Sequence, residues 1–195
     1  MMSVMAGSSR FLIRDKKQLA ALAAAARQEI VDVLAEMGTV SVAEIAATLG
    51  RRADGLYFHL RALQSAGLVK QAGYRSRGGR KEALFRTIAS HLELHYEPAS
   101  ETNRRGVIAV VNSMLRLSSR DFRRAFERAD SKVTGPGREL WALRKTGRLS
   151  PAEVAAVNRS IKRLDRDMSK PRQGGRLFGI TILLTPLDHR GQGKR

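Results

Sequence analysis

The chain has 195 residues, 43% apolar and 28% charged, with no cysteine and a formal net charge of +18. Such a composition reads as soluble and globular, with room for one large domain or two small ones. The missing cysteines exclude disulfides, thiolate zinc sites and thiol redox switching, and no apolar run approaches the roughly 18 residues that span a membrane.

The charge is unevenly divided. Residues 1–98 carry 14 Lys and Arg against 9 Asp and Glu, whereas residues 99–195 carry 22 against 9. Arg outnumbers Lys by 27 to 9. Two readings of the second half stand side by side: arginine-rich usage on solvated faces, or a second surface for phosphates or an anionic ligand.

In chain order, residues 1–10 read as a loose N-terminus. Leu19 to Ala26, LAALAAAA after Lys16 and Lys17, has the look of a signal-peptide core, but its smooth continuation into RQEIVDVLAEMG favours a helix. Asp15 is placed to cap a first helix bearing Leu19 and Leu22. Ile30, Val31, Val33 and Leu34 line a second, stopped at Gly38. Val40 then sits where a hydrophobic staple belongs, and Ser41 with Glu44 forms a capping box. Ile45 and Leu49 face the core, and Gly50 can take a left-handed turn.

The next helix is expected over about residues 53–65. Leu56, Leu60 and Leu63 form its buried stripe. Asp54, Phe58, Arg61 and Ser65 lie opposite, flanked by Tyr57 and Ala62. Two short helices across a tight turn are the pattern of a helix-turn-helix, whose second helix enters the DNA major groove. Phe58 is large and apolar on the outward face. It suits either contact with a thymine methyl or packing against a partner copy or the wing.

Gly67 ends that helix. Leu68 to Tyr74 and Ala83 to Ile88 read as strands joined through RSRGGRKE, with Gly78 and Gly79 making the turn. Arg75, Arg77, Arg80 and Lys81 gather at the tip and are expected on phosphates or in the minor groove.

Pro98-Ala99-Ser100 reads as a boundary. A long helix is expected over Val107 to Arg128, with a break at Ser118-Ser119. Residues 131–137 form a loop, and Leu140 to Leu143 are strand-like. Ser150-Pro151-Ala152-Glu153 opens a helix to about Met168 that should bury Val154, Val157, Ile161 and Leu164. A turn at 171–175 and a buried strand over Leu177 to Leu184 follow, stopped by Pro186.

VSVAEIAATLG, then LYFHLRALQSAGLVK, then a basic hairpin ending in EALFR, resembles the ArsR-like winged helix-turn-helix repressors over roughly residues 15–90. Arg27 fits that family's usual arginine in the second helix. The resemblance implies DNA contact by Arg52, Asp54, Gly55, Tyr57, Phe58 and Arg61, with Ser65 on the same face and the wing residues Arg75, Arg77, Arg80 and Lys81. It places His59 at the family's histidine position, where the helical wheel favours a structural role. Two departures stand out: the chain has no cysteines for metal sensing, and its recognition helix is unusually aromatic. The second half is similar to the tail domains of larger members, which implies dimerisation or ligand sensing.

His91 and His95, with Glu93 and Glu97, could hold a cation, but Leu92, Leu94 and Tyr96 alternate with them as on an exposed strand. No catalytic constellation or phosphate-binding loop stands out, so no enzyme, cofactor or metal is expected.

The expected fold is mainly α with small β (α+β). Residues 1–10 form a loose N-terminus, 11–98 the winged helix-turn-helix, 99–189 a C-terminal α/β dimerisation or effector domain, and 190–195 a basic tail. The expected function is that of a homodimeric, sequence-specific regulator, a repressor, on double-stranded DNA in a prokaryotic cytoplasm, with room for an unidentified small-molecule effector. The alternatives are a sequence-independent, chromatin-like nucleic-acid binder and a winged helix that docks protein.

Overall fold

In chain order the elements are β1 (Arg10–Ile13), α1 (Lys16–Leu22), α2 (Ala25–Met37), β2 (Val40–Ser41), α3 (Val42–Leu49), α4 (Ala53–Ser65), β3 (Val69–Arg77), β4 (Arg80–Thr87), β5 (His91–Leu94), α5 (Glu101–Phe126) and α6 (Pro151–Met168). The computed structural model describes residues 10–170 and 174–187. The expectations for residues 1–9, the first part of the 171–175 turn and the 190–195 tail lie outside the described residues. The architecture is α+β, with a helix-turn-helix unit first and a C-terminal region after it.

Local signals set most of the first unit. Asp15 accepts from the Lys17 N–H at 2.7 Å and forms a capping box with Gln18 that starts α1. Ser41 and Glu44 exchange the same pair of bonds at the start of α3. Gly50 adopts the left-handed conformation at the end of α3. Past α4, Leu68 N–H reaches Leu63 C=O at 3.0 Å and Gly67 N–H reaches Gln64 C=O at 2.9 Å, with Gly67 at φ 69°. These bonds satisfy carbonyls that the helix end would otherwise orphan.

Leu19, Leu22, Ile30, Val33, Leu34, Ile45, Leu56, Leu60, Leu63 and Leu68 meet in one buried cluster. Two polar side chains packed at this cluster satisfy backbone carbonyls. Arg27 donates to the carbonyls of Ala20 and Ala21, closing the last turn of α1. Gln28 donates to Leu22 C=O at 2.7 Å and Val110 C=O at 3.2 Å.

Three features differ from the sequence expectations in this half. Arg10, expected in the loose N-terminus, opens β1, which pairs in parallel with β5 in the register Arg10↔His91 to Ile13↔Leu94. β2 adds a third strand beside β4, with Val40 opposite Phe85. The boundary expected at Pro98–Ser100 is a tight turn and does not separate two cores. Asn103 fastens it, donating to His95 C=O at 3.1 Å and accepting from Glu97 N–H at 2.9 Å. Val107 and Val110 of α5 then join the first core. At Gly106 the two helices touch so closely that a Cβ would lie 2.8 Å from Leu19 Cδ1.

The second half departs further. α5 starts at Glu101 and runs unbroken through Ser118-Ser119 to Phe126. Ser118 stays helical with its hydroxyl at 2.5 Å from that of Thr181. Ser150 and Glu153 form the expected capping box of α6. That helix, however, buries no residue, so Val154, Val157, Ile161 and Leu164 are not in a core. Leu140 to Leu143 and Leu177 to Leu184 form no strand. An apolar extended run becomes a strand only when a neighbouring backbone pairs with it, and no described segment does so here.

Candidate nucleic-acid interface

α4 is amphipathic in the sense the leucines dictate. Leu56, Leu60 and Leu63 are at most 2% exposed. Turning the helix about half a revolution brings out Asp54, Phe58, Arg61 and Ser65, all exposed. Phe58 is 71% exposed and Tyr57 47%. Gly55, exposed on the first turn, leaves room for a close approach of backbone. Arg52 is the exposed N-cap and makes no side-chain capping bond, so its guanidinium is free of the helix end. The seven residues singled out on or beside this helix thus reach solvent together.

His59 lies between the two faces. The Phe58 ring meets it edge-on at 5.5 Å. Desolvation, then the charges of Arg27 and Arg51, hold its pKa below the ordinary value, so it is neutral at pH 7. Its Nδ1 is buried without a hydrogen-bond partner among the described residues.

β3 and β4 form a hairpin with a two-residue turn. Gly78 and Gly79 have φ of 56° and 76°, the doubly positive pair that a type I′ turn demands. Arg77 pairs with Arg80 across the turn, Ser76 with Lys81 and Arg75 with Glu82. Arg77 and Lys81 are exposed, and the Lys81 ammonium sits 4.2 Å from the centroid of the Tyr74 ring. The side chain of Arg80 lies outside the described set.

Arg75 is placed differently from its neighbours. It is half-buried and reaches Glu44 at 3.0 Å and Glu82 at 3.1 Å. Its guanidinium is turned onto α3 and the opposite strand, not outward to a phosphate. Its sequence neighbourhood is basic, and only the three-dimensional approach of Glu44 distinguishes it. Tyr74, 57% exposed on β3, is a residue the sequence reading does not single out.

Behind the interface, Glu29 on α2 is 9% exposed and accepts from two arginines. Arg51, in the turn before α4, and Arg120, on α5, each reach it at 2.5 Å. Part of the second half's positive charge gathers elsewhere: Arg159, Lys162 and Arg166 of α6 share a concavity with Arg10. His91 is paired with Asp165 at 3.2 Å and Glu93 with Arg10 at 3.7 Å. These two members of the histidine-glutamate group are therefore engaged by other side chains.

Residues 22–72 match the model of a helix-turn-helix domain family. The match runs from the end of α1 into β3 and spans both helices of the turn. The first unit is a helix-turn-helix domain, and it supports a DNA-binding regulator. No curated protein matches the chain.

Proposed function

We propose that the chain is an ArsR-like winged helix-turn-helix regulator that acts as a homodimeric repressor on a pseudo-palindromic operator in a prokaryotic cytoplasm. Two-fold symmetry would present two copies of α4 to major grooves one helical turn apart. The observation that carries this reading is the exposed face of α4, where Asp54, Tyr57, Phe58 and Arg61 reach solvent beside a basic wing. Arg61, Phe58 and Asp54 read bases, while Arg52, Arg77, Arg80 and Lys81 position the protein on the backbone.

Selection of bound sequences from random DNA at a stated salt concentration tests it. A two-fold-symmetric consensus is expected. Arg61→Ala should then weaken the selected site about 10-fold or more, with little effect on random DNA. Equal loss on both would remove the base-reading role, and uniform footprints over a promoter library would point to sequence-independent binding.

A further inference from the structure

The C-terminal region is too open to be a finished fold. A compact chain of 21.5 kDa exposes about 9,200 Å². This one exposes 15185 Å². Grant the 20 residues outside the description the full area of unfolded chain, roughly 3,200 Å², and an excess of roughly 2,800 Å² remains. A stable dimer needs about 800 Å² from each partner.

The described residues past α5 are nearly all exposed or half-buried, and one apolar run stands out among them. Phe178, Ile180, Ile182, Leu183 and Leu184 are 42–52% exposed, and Leu177 is 64% exposed. Apolar residues occupy both alternating sets of positions in this segment, the sequence pattern of a strand covered on both sides. No backbone hydrogen bond joins it to another described segment. Its described anchors are side-chain contacts: Thr181 with Ser118, and Arg176 with Glu139 at 2.9 Å. Earlier in the chain, α6 carries an apolar stripe through Val154, Ile161 and Leu164, none of them fully buried.

We propose that residues 177–184 pair antiparallel with the same residues of a second copy across a two-fold axis, and that the two α6 stripes close over the ladder so formed. The surface is self-complementary: one chain carries both the unpaired strand and the unfilled helix face. A two-fold lets one strand pair with its own copy, satisfying backbone groups and apolar faces in one step. A permanently exposed run of this kind would otherwise template aggregation, and a second copy is the one partner always made with it. This deepens the homodimer of the preceding reading by naming its surface.

The test uses the full-length chain. Light scattering at micromolar concentration should give twice the 21.5 kDa chain mass. The chain has no native cysteine, so single substitutions from Phe178→Cys to Leu184→Cys report proximity cleanly. Oxidation should cross-link Ile180→Cys or Thr181→Cys, nearest the axis, and leave Leu184→Cys at the segment's end and Ser76→Cys on β3 uncross-linked. Ile182→Asp should weaken dimerisation at least 10-fold.

A monomeric wild-type chain overturns the proposal, as does a dimer that no cysteine in the segment cross-links. Gel retardation on the same samples separates this from the functional reading. A cross-linkable dimer that retards no DNA removes the regulator and keeps the ladder. A monomer that retards DNA does the reverse.

Discussion

Arg51 and Arg120 share one carboxylate. The first sits in the turn that leads into α4, the second 69 positions later on α5, and Glu29 accepts from both at 2.5 Å. Glu29 is nearly buried, while the arginines are about one-third exposed. Removing the acid strands two cations against the protein surface. Glu29→Ala should cost about 1–3 kcal/mol of stability, measured by urea unfolding, the arginines' access to water keeping it below the loss for a fully buried pair. Arg51→Ala and Arg120→Ala should each cost less, and their double variant should show coupling. Strict additivity would mean the bridge is not shared.

Asp32, one turn along α2, gives the fold an unusual acid response. Surrounding protein, then the charges of Glu29 and Asp121, push its pKa from 3.8 up to about 6. Between those values the folded chain holds a proton that the unfolded chain has released. Stability from this group is therefore fully present below about pH 4 and falls as pH rises to about 6. Asp32 keeps an exposed outer side, so screening holds the effect to about 1 kcal/mol. Asp32→Asn should flatten that stretch of the stability–pH curve and be neutral or stabilising at pH 7. A lower stability at pH 7 would mean that the carboxylate makes a favourable contact there.

The ion-paired Arg75 and the exposed Arg77 of the β3–β4 hairpin should behave differently. Arg77→Ala should reduce the slope of log affinity against log salt by about 1, as expected for one lost phosphate contact. Arg75→Ala should leave that slope unchanged, because its guanidinium is engaged by Glu44 and Glu82. It should instead speed amide exchange in β3 and β4 by loosening the hairpin from α3. A smaller salt slope in Arg75→Ala would put that side chain on DNA.

Phe58 is 71% exposed, so Phe58→Ala should change stability by less than about 0.5 kcal/mol. On the selected DNA site it should weaken binding several-fold and relax preference at one position, read by repeating the selection with the variant. An unfolding midpoint lowered by several degrees would mean that the ring packs in the assembled protein.

Gly106 lies where α5 crosses α1. A valine there would drive carbon into Leu19, whose Cδ1 and Cβ stand 2.8 and 3.0 Å from an added Cβ. Gly106→Val should cost about 1–3 kcal/mol, and calorimetry would show it. No loss of stability would mean that the helices separate there without cost.

Capping chemistry was the most readable part of the chain. Asp15, Ser41 and Ser150 each act within a few residues, so their partners stand beside them in the sequence. The leucine stripe of α4 was legible for a similar reason, since helical period alone aligns it. The β1–β5 pair was not. Its strands have four residues each and lie about 80 positions apart, and no local rule joins them. The run Leu177 to Leu184 has the composition of a buried strand, yet no backbone hydrogen bond joins it to another described segment and its apolar side chains are about half exposed. On the interface, exposure of the α4 face followed from period, whereas the turning-in of Arg75 depended on Glu44, an acid from another element.

The long helix α5 has a seated root and a shaft that runs on past it, tied back to α2 through Arg120 and Glu29. Its first half is seated in the core through Val107, Val110 and Ser113, and the 13 residues from Met114 to Phe126 continue beyond the last of these buried positions. At 1.5 Å per residue the shaft is about 20 Å long. It connects the unit that carries α4 to the region proposed to join two copies. In such a pair the shafts work as the legs of a caliper. Their angle sets the distance between the two recognition helices, and a tilt of about 5° at the root displaces the far end by nearly 2 Å, a shift on the scale of allosteric helix movements.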